Sequence, residues 1–128
     1  MKRGDILEYK RAGGLFYHYG MFIGDNKVIH RDKGKGVLVS ELNDMIGDMR
    51  ITSPKCHRVP TEQAIDTAFK IQDDRYNPLT ENCEHFVNYV RYHKKSSIQV
   101  KKVLSLCGYI LYILMSKQKL ISTWQNIV

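Results

Sequence analysis

The hydrophobic pattern changes period once along the chain, from short alternating or apolar runs to longer helical stripes. Ile6-Leu7-Glu8-Tyr9 is short, apolar and bounded by Gly4-Asp5 and Gly13-Gly14, which predicts a first strand. Leu15 to Ile23 is rich in aromatic and β-branched residues, and Val28-Ile29-His30 resumes after Gly24-Asp25-Asn26, the signature of a hairpin. Val37-Leu38-Val39 predicts another strand and Met49 to Thr52 a further short one, while Glu41 to Gly47 fits neither period. Pro54 and Pro60 bracket a connector, after which Thr61-Glu62-Gln63-Ala64 opens a helix to about Ile71 with Ala64, Ala68 and Ile71 on one stripe. Asp73 to Thr80, with Pro78 inside it, reads as a loop. A second helix runs from near Asn82 through His93 on the stripe Cys83, Phe86, Val87 and Val90. Strands first and helices afterwards predict an α+β fold, an antiparallel sheet packed by helices.

At 128 residues the chain fits one core, placed at residues 1–95, with a basic and apolar segment at 96–128. Val103 to Met115 is free of charge but falls short of the roughly 20 residues that cross a bilayer as a helix. Extension to Ile121 includes Lys117 and Lys119. A packing helix, an interfacial or tail-anchor-like membrane segment and a protein-contact helix all fit. The net charge of +7 attracts polyanions, and its concentration at Arg91, Lys94, Lys95, Lys101 and Lys102 beside an apolar run favours a phospholipid surface over nucleic acid. A solvated basic face is the plainer alternative. With no nucleic-acid module in view, the expected partners are a membrane surface and, through the C-terminal segment, a protein. Three cysteines cannot all pair and no signal-peptide core precedes the first strand, so a reducing, cytoplasmic setting at the membrane periphery is expected.

Chemistry enters with Cys83. Asn82 is a good N-cap, which puts the thiol at the first helical position, where free amides and the helix dipole favour a thiolate and can hold an oxyanion. A lone cysteine there is otherwise a small buried hydrophobe. A thiol nucleophile needs a base, and the base needs a polar group on its second nitrogen. His18, Gly20 and Phe22 share one strand face. If Gly24-Asp25-Asn26 is a three-residue loop, Ile23 opposes Lys27 and His30 opposes Gly20, setting His30 diagonal to His18 on that face. A two-residue turn at Asp25-Asn26 instead pairs His30 with Met21 and sends the rings to opposite faces. On the first register His18 is the base and His30 orients it, with Gly20 leaving room for a ring or a substrate. His85 points around the helix from the thiol, and His93 lies about 15 Å along it. His57 beside Cys56 reads as a solvated connector residue. Cys83, His18, His30 and Cys56 offer a zinc donor set on paper, but no C-x-x-C or H-x-x-x-H spacing supports it, and no Gly-rich phosphate loop occurs, so no cofactor or metal is expected.

The stretches His18-Tyr19-Gly20-Met21-Phe22-Ile23-Gly24-Asp25-Asn26-Lys27-Val28-Ile29-His30 and Asn82-Cys83-Glu84-His85-Phe86-Val87-Asn88-Tyr89-Val90-Arg91-Tyr92 resemble the H-box and NC motif of the lecithin retinol acyltransferase family. That family includes the HRAS-like suppressor phospholipase/acyltransferases and belongs to the NlpC/P60 group. The resemblance spans roughly residues 3 to 93. It implies a permuted papain-like fold and a thiolate that takes an acyl chain from a glycerophospholipid and passes it to water, an amine or an alcohol. Phe16 stands where several vertebrate members carry a tyrosine, and the interval from His30 to Cys83 is shorter than theirs. Short picornaviral 2A proteins share both motifs and this size. A non-catalytic interaction module and a peptidase or amidase of the NlpC/P60 type are therefore the competing readings.

Overall fold

The computed structural model describes residues 1–52, 58–71, 82–94 and 96–127, with the side chain of Ile127 excepted. Cys56, His57, Pro54 and the loop around Pro78 lie outside the described residues. Five strands form one antiparallel sheet in the order β4-β3-β2-β1-β5. They are β1 (Ile6–Arg11), β2 (Phe16–Gly24), β3 (Lys27–Asp32), β4 (Gly36–Glu41) and β5 (Met49–Ile51). Single 3-10 turns at Ala12–Gly14 and Leu42–Asp44 occupy the Gly13-Gly14 break and part of the stretch that fitted neither period. Helix α1 (Thr61–Lys70) and helix α2 (Cys83–Tyr92) follow the sheet, as the α+β reading expects.

Register in the β2–β3 hairpin decides where the histidines fall. The turn has two residues, not three: Gly24 pairs with Lys27, and Asp25 and Asn26 both take positive φ, 49° and 59°, as a tight hairpin turn demands. A bulge between Phe22 and Gly24 then adds one residue to β2, so Phe22 pairs with Val28 and Gly20 with His30. Turn and bulge together restore the register that a three-residue loop produces. The loop length expected from sequence is corrected; the Gly20–His30 pair stands.

The sheet buries both faces unequally. Ile6, Tyr19, Met21, Ile23 and Ile29 pack under the two helices with Ala64, Ile65, Ala68, Phe86, Val87 and Val90. Leu7, Tyr9 and Val28 form a smaller cluster on the opposite face, closed by Phe22, Leu42 and Met45. Each fully buried side chain of this size contributes about 1.5–3 kcal/mol, so the helix-covered face supplies most of the apolar stabilisation. Arg31 reaches that face and lays its guanidinium over the Phe86 ring at 5.6 Å.

Two compact units divide the chain, Met1–Ser97 and Ile98–Val128. The first ends where Ser97 Oγ donates to the buried Glu84 carboxylate at 2.5 Å and the Ser96 carbonyl accepts from Asn88 at 2.9 Å. The second is helix α3 (Ile98–Ile127), 30 residues and about 45 Å long. The apolar run does not stop at Met115 as the uncharged stretch suggested. Lys117 and Lys119 are good helix formers whose long stems can lie along an apolar surface, so they do not end the helix. Its consecutive residues Tyr109, Ile110, Leu111 and Tyr112 are all exposed, and four in a row cover every side of a helix. Its mean hydropathy reaches 1.5, and it is long and apolar enough to cross a membrane.

Candidate active site

Strand pairing brings the two imidazoles together. His18 faces Tyr9 across the β1–β2 ladder, and His30 faces Gly20 across β2–β3, so both rings stand on the side of the smaller cluster. A hydrogen bond of 2.9 Å joins His18 Nε2 to His30 Nδ1, with the rings edge to face and their centroids 4.9 Å apart. Gly20 makes room for this: a Cβ there meets Val28 Cγ1 at 2.5 Å and His30 Cβ at 3.3 Å. The chain of contacts continues to a residue that sequence reading passed over. Ser40 of β4 pairs with Val28, two positions from His30, and its Oγ lies 2.9 Å from His30 Nε2.

These two contacts constrain the tautomers. If His30 Nε2–H donates to Ser40 Oγ, then His30 Nδ1 accepts from His18 Nε2–H, and the lone pair of His18 is left on Nδ1. Burial pushes the His18 pKa down from 6.5 to about 4, with further lowering from His30 and Arg11 against an opposing effect of Asp32. Burial lowers that of His30 as well. Both rings are thus neutral at neutral pH.

Cys83 begins α2. The Asn82 side chain accepts from the His85 N–H at 2.9 Å, and the Asn82 N–H points at His85 Nδ1 at 3.5 Å, a reciprocal cap that fixes the helix start. His85 is thereby accounted for as a capping residue. The thiol donates to the Tyr17 carbonyl at 3.9 Å, and the amides of Tyr19, Glu84 and Cys83 itself direct N–H groups at the sulfur. Burial nevertheless dominates and raises the thiol pKa, so the resting sulfur is protonated.

Why the thiol meets Tyr17 and Tyr19 follows from the ladder. Phe22 exchanges bonds with Gly4 and Asp5 on the β1 side, so even-numbered residues of β2 turn their backbone groups to β1 and odd-numbered ones to β3. The β2–β3 pairing ends at Gly20–His30. Beyond that point Tyr17 and Tyr19 face a fork from which β3 has diverged, and the sulfur sits against the backbone groups the fork exposes. Those groups belong to the residues immediately before and after His18. The structure therefore joins His18 to His30 directly, while Cys83 packs with the helix-covered cluster beside the His18 backbone. A Cys83–His18 hydrogen bond is not present among the described residues.

One further group near the thiol, the Tyr19 phenol, gave no sequence signal. The buried Tyr19 hydroxyl donates to Glu8 at 2.9 Å, and Arg50 pairs with the second oxygen of that carboxylate at 2.7 Å. Burial first, then Glu84 and Glu8, pushes the Tyr19 phenol far up, so it remains a donor at any working pH. Among the described residues no three His, Cys, Asp or Glu side chains form a metal-holding group.

Residues 1–96 match the family model described as lecithin retinol acyltransferase. Phospholipase A and acyltransferase 4 of Homo sapiens is 31% identical over 126 residues, covering 79% of this chain and 76% of that protein. Phospholipase A and acyltransferase 3 of Mus musculus is 26% identical, covering 84% and 80%. Lecithin retinol acyltransferase of Rattus norvegicus is 26% identical and covers 78% of this chain and 58% of that protein.

Proposed function

The chain belongs to the lecithin retinol acyltransferase family, and on that footing we propose that it is a thiol-dependent phospholipase A/acyltransferase with Cys83 as nucleophile, His18 as base and His30 as the group that orients the base. The observation that carries this reading is the His18–His30–Ser40 chain of two 2.9 Å contacts, which leaves a neutral His18 nitrogen to serve as base, while the thiol at the start of α2 sits against the backbone of the residues flanking His18. The thiol proton passes to His18 as the sulfur leaves the Tyr17 carbonyl and attacks the ester carbonyl of a glycerophospholipid. A carbon–sulfur bond forms, and the carbonyl becomes an oxyanion facing the amides of Cys83 and its neighbours. Collapse expels the lysophospholipid oxygen, which takes the proton back from His18. Water, an amine or an alcohol, deprotonated by His18, then releases the acyl group and restores the thiol. No cofactor or metal is required by these steps.

Helix α3 supports a membrane setting for this chemistry. Lys101 and Lys102 precede its apolar stretch, and Lys117 and Lys119 lie far enough along to lift their ammonium groups to a polar boundary. Incubating the full chain with phosphatidylcholine vesicles and following it by intact-mass spectrometry tests the proposal. An acyl adduct lost in Cys83→Ser, together with free fatty acid and lysolipid, is the expected result. An unmodified thiol with no product would falsify it.

One observation favours a second reading, a catalytically inactive module acting through protein or membrane binding: the thiol bonds the Tyr17 carbonyl rather than the imidazole. That reading expects no adduct, and membrane binding equal in wild type and Cys83→Ser.

A further inference from the structure

Arg91 lies eight residues after Cys83 on α2, about 12 Å along the helix axis and away from the candidate active site. Its side chain is only 4% exposed, yet no carboxylate pairs with it among the described residues. One terminal nitrogen donates to the Val59 carbonyl at 2.8 Å and the other to Thr61 Oγ1 at 3.2 Å, while its Nε–H has no partner. A buried guanidinium held by neutral oxygens is costly unless something balances its charge. Burial pushes the Arg91 pKa down, and a second guanidinium adds to it: Arg58 is exposed and has no partner among the described residues.

Both arginines line a cavity of about 490 Å³, with Lys2 and Thr61 beside them and Asp5 as the opposing carboxylate. Arg3 also reaches the rim but is committed to Glu62 at 3.0 Å. Thr61 is the first residue of α1, whose start has no side-chain cap, so the positive end of that helix opens on the same space. Gly4, with φ of 87°, packs its backbone against two of these residues: a Cβ there meets Thr61 Cγ2 at 2.9 Å and Arg91 Cζ at 3.1 Å.

We infer that this cavity binds a phosphate group through Arg91, Arg58, Lys2 and the α1 N-terminus. Lys2, Arg58 and Arg91 against Asp5 leave a surplus of two positive charges, which matches a doubly charged phosphomonoester better than a carboxylate. Guanidinium forks and a helix N-terminus are the protein groups best shaped for its oxygens. The phosphate can belong to a lipid headgroup or to a soluble molecule, and the chemistry is the same for both. The site is independent of acyl transfer, since none of its groups touches Cys83, His18 or His30.

The Cys83→Ala full chain in maltoside micelles, which carry no phosphate and leave added lipid unhydrolysed, is the material for the test. The Arg91 Nε–H resonance is followed during titration with inorganic phosphate, with dioctanoyl phosphatidate, and with dioctanoyl phosphatidylcholine as the phosphodiester control. Saturable movement of that resonance is expected, weakened about tenfold in Arg58→Gln, as loss of one charge-assisted contact implies, and unchanged in Lys94→Gln, whose charge lies outside the cavity. A response to inorganic phosphate identifies a soluble ligand, and a response to phosphatidate alone identifies a lipid headgroup. Equal weakening in Arg58→Gln and Lys94→Gln, a response to the control lipid as strong as to phosphatidate, or no saturable movement at all overturns the assignment.

Discussion

Acid should unfold this protein through His18 before it reaches the carboxylates. The folded ring ionises at about 4 and the unfolded ring at 6.5, so the unfolded chain binds the extra proton throughout that window. Stability is therefore fully present above pH 6.5 and falls as the pH drops from 6.5 towards 4, where the folded ring finally protonates too. At pH 5 the unfolded ring is almost wholly charged and the folded ring about one-tenth charged, a difference of about 2 kcal/mol; the whole window is worth roughly 3 kcal/mol. For a unit of this size, 2 kcal/mol corresponds to a fall of roughly 10 °C in Tm. His30 is shifted in the same direction and adds to the slope. Urea unfolding at pH 7, 6 and 5, followed by the near-ultraviolet dichroism of the buried Tyr9 and Tyr19, measures it in wild type and in His18→Gln. The variant titrates nothing at position 18, so its stability should lose about 2 kcal/mol less between pH 7 and pH 5. An identical slope in the two proteins would show that the ring is not held neutral by the fold, and the account of it as a ready base would go with it.

Other perturbations reach the same site by different routes. Gly20→Ala forces a methyl against Val28, a stiff β-branched side chain with no free space, and should cost about 1–3 kcal/mol in a urea melt while shifting the His30 ring resonances; a neutral effect on both contradicts the packing described. Asn82→Ala removes the reciprocal cap and should cost about 1 kcal/mol; because Cys83 is the next residue, thiol reactivity toward a maleimide should change as well. Ser40→Ala leaves His30 Nε2 without its oxygen and should redistribute the His18 and His30 tautomers, read from imidazole nitrogen shifts. The same variant is expected to lower acyl transfer by about tenfold or more while Ser40→Thr retains it, and unchanged tautomers in Ser40→Ala would remove Ser40 from the relay.

Residue pattern carried the sheet-then-helix order, the helix start at Cys83 and the shared face of the two histidines, since each follows from a local period or cap. It did not reveal how the shared face is achieved. Asp25-Asn26 and the bulge at Ile23 each move the register by one, and a pattern of apolar positions cannot distinguish their sum from a longer loop. Ser40 was hidden for a related reason. Its position follows from the β3–β4 turn, where Asp32 pairs with Gly36, and only with that register known does Ser40 fall two positions from the partner of His30. The fork beyond Gly20 has no signature at all, because periodicity says which way a side chain points and not where two strands part. In α3 the lysines misled a count of uncharged residues, although helix propensity, read alone, carries the helix through them.

The sulfur at the fork also acts as a surrogate rung. The Tyr17 carbonyl, beyond the last β2–β3 pair, is met by the S–H of Cys83, so β2 is tied to the start of α2 at that level by the very proton the proposed chemistry removes. Any group that caps the sulfur, whether an acyl chain, an alkylating reagent or an oxygen, erases that rung. Loading of the thiol should therefore be legible in the backbone itself, as faster amide exchange on β2 next to the split and in the first turn of α2, even for an observer who never looks at the cysteine.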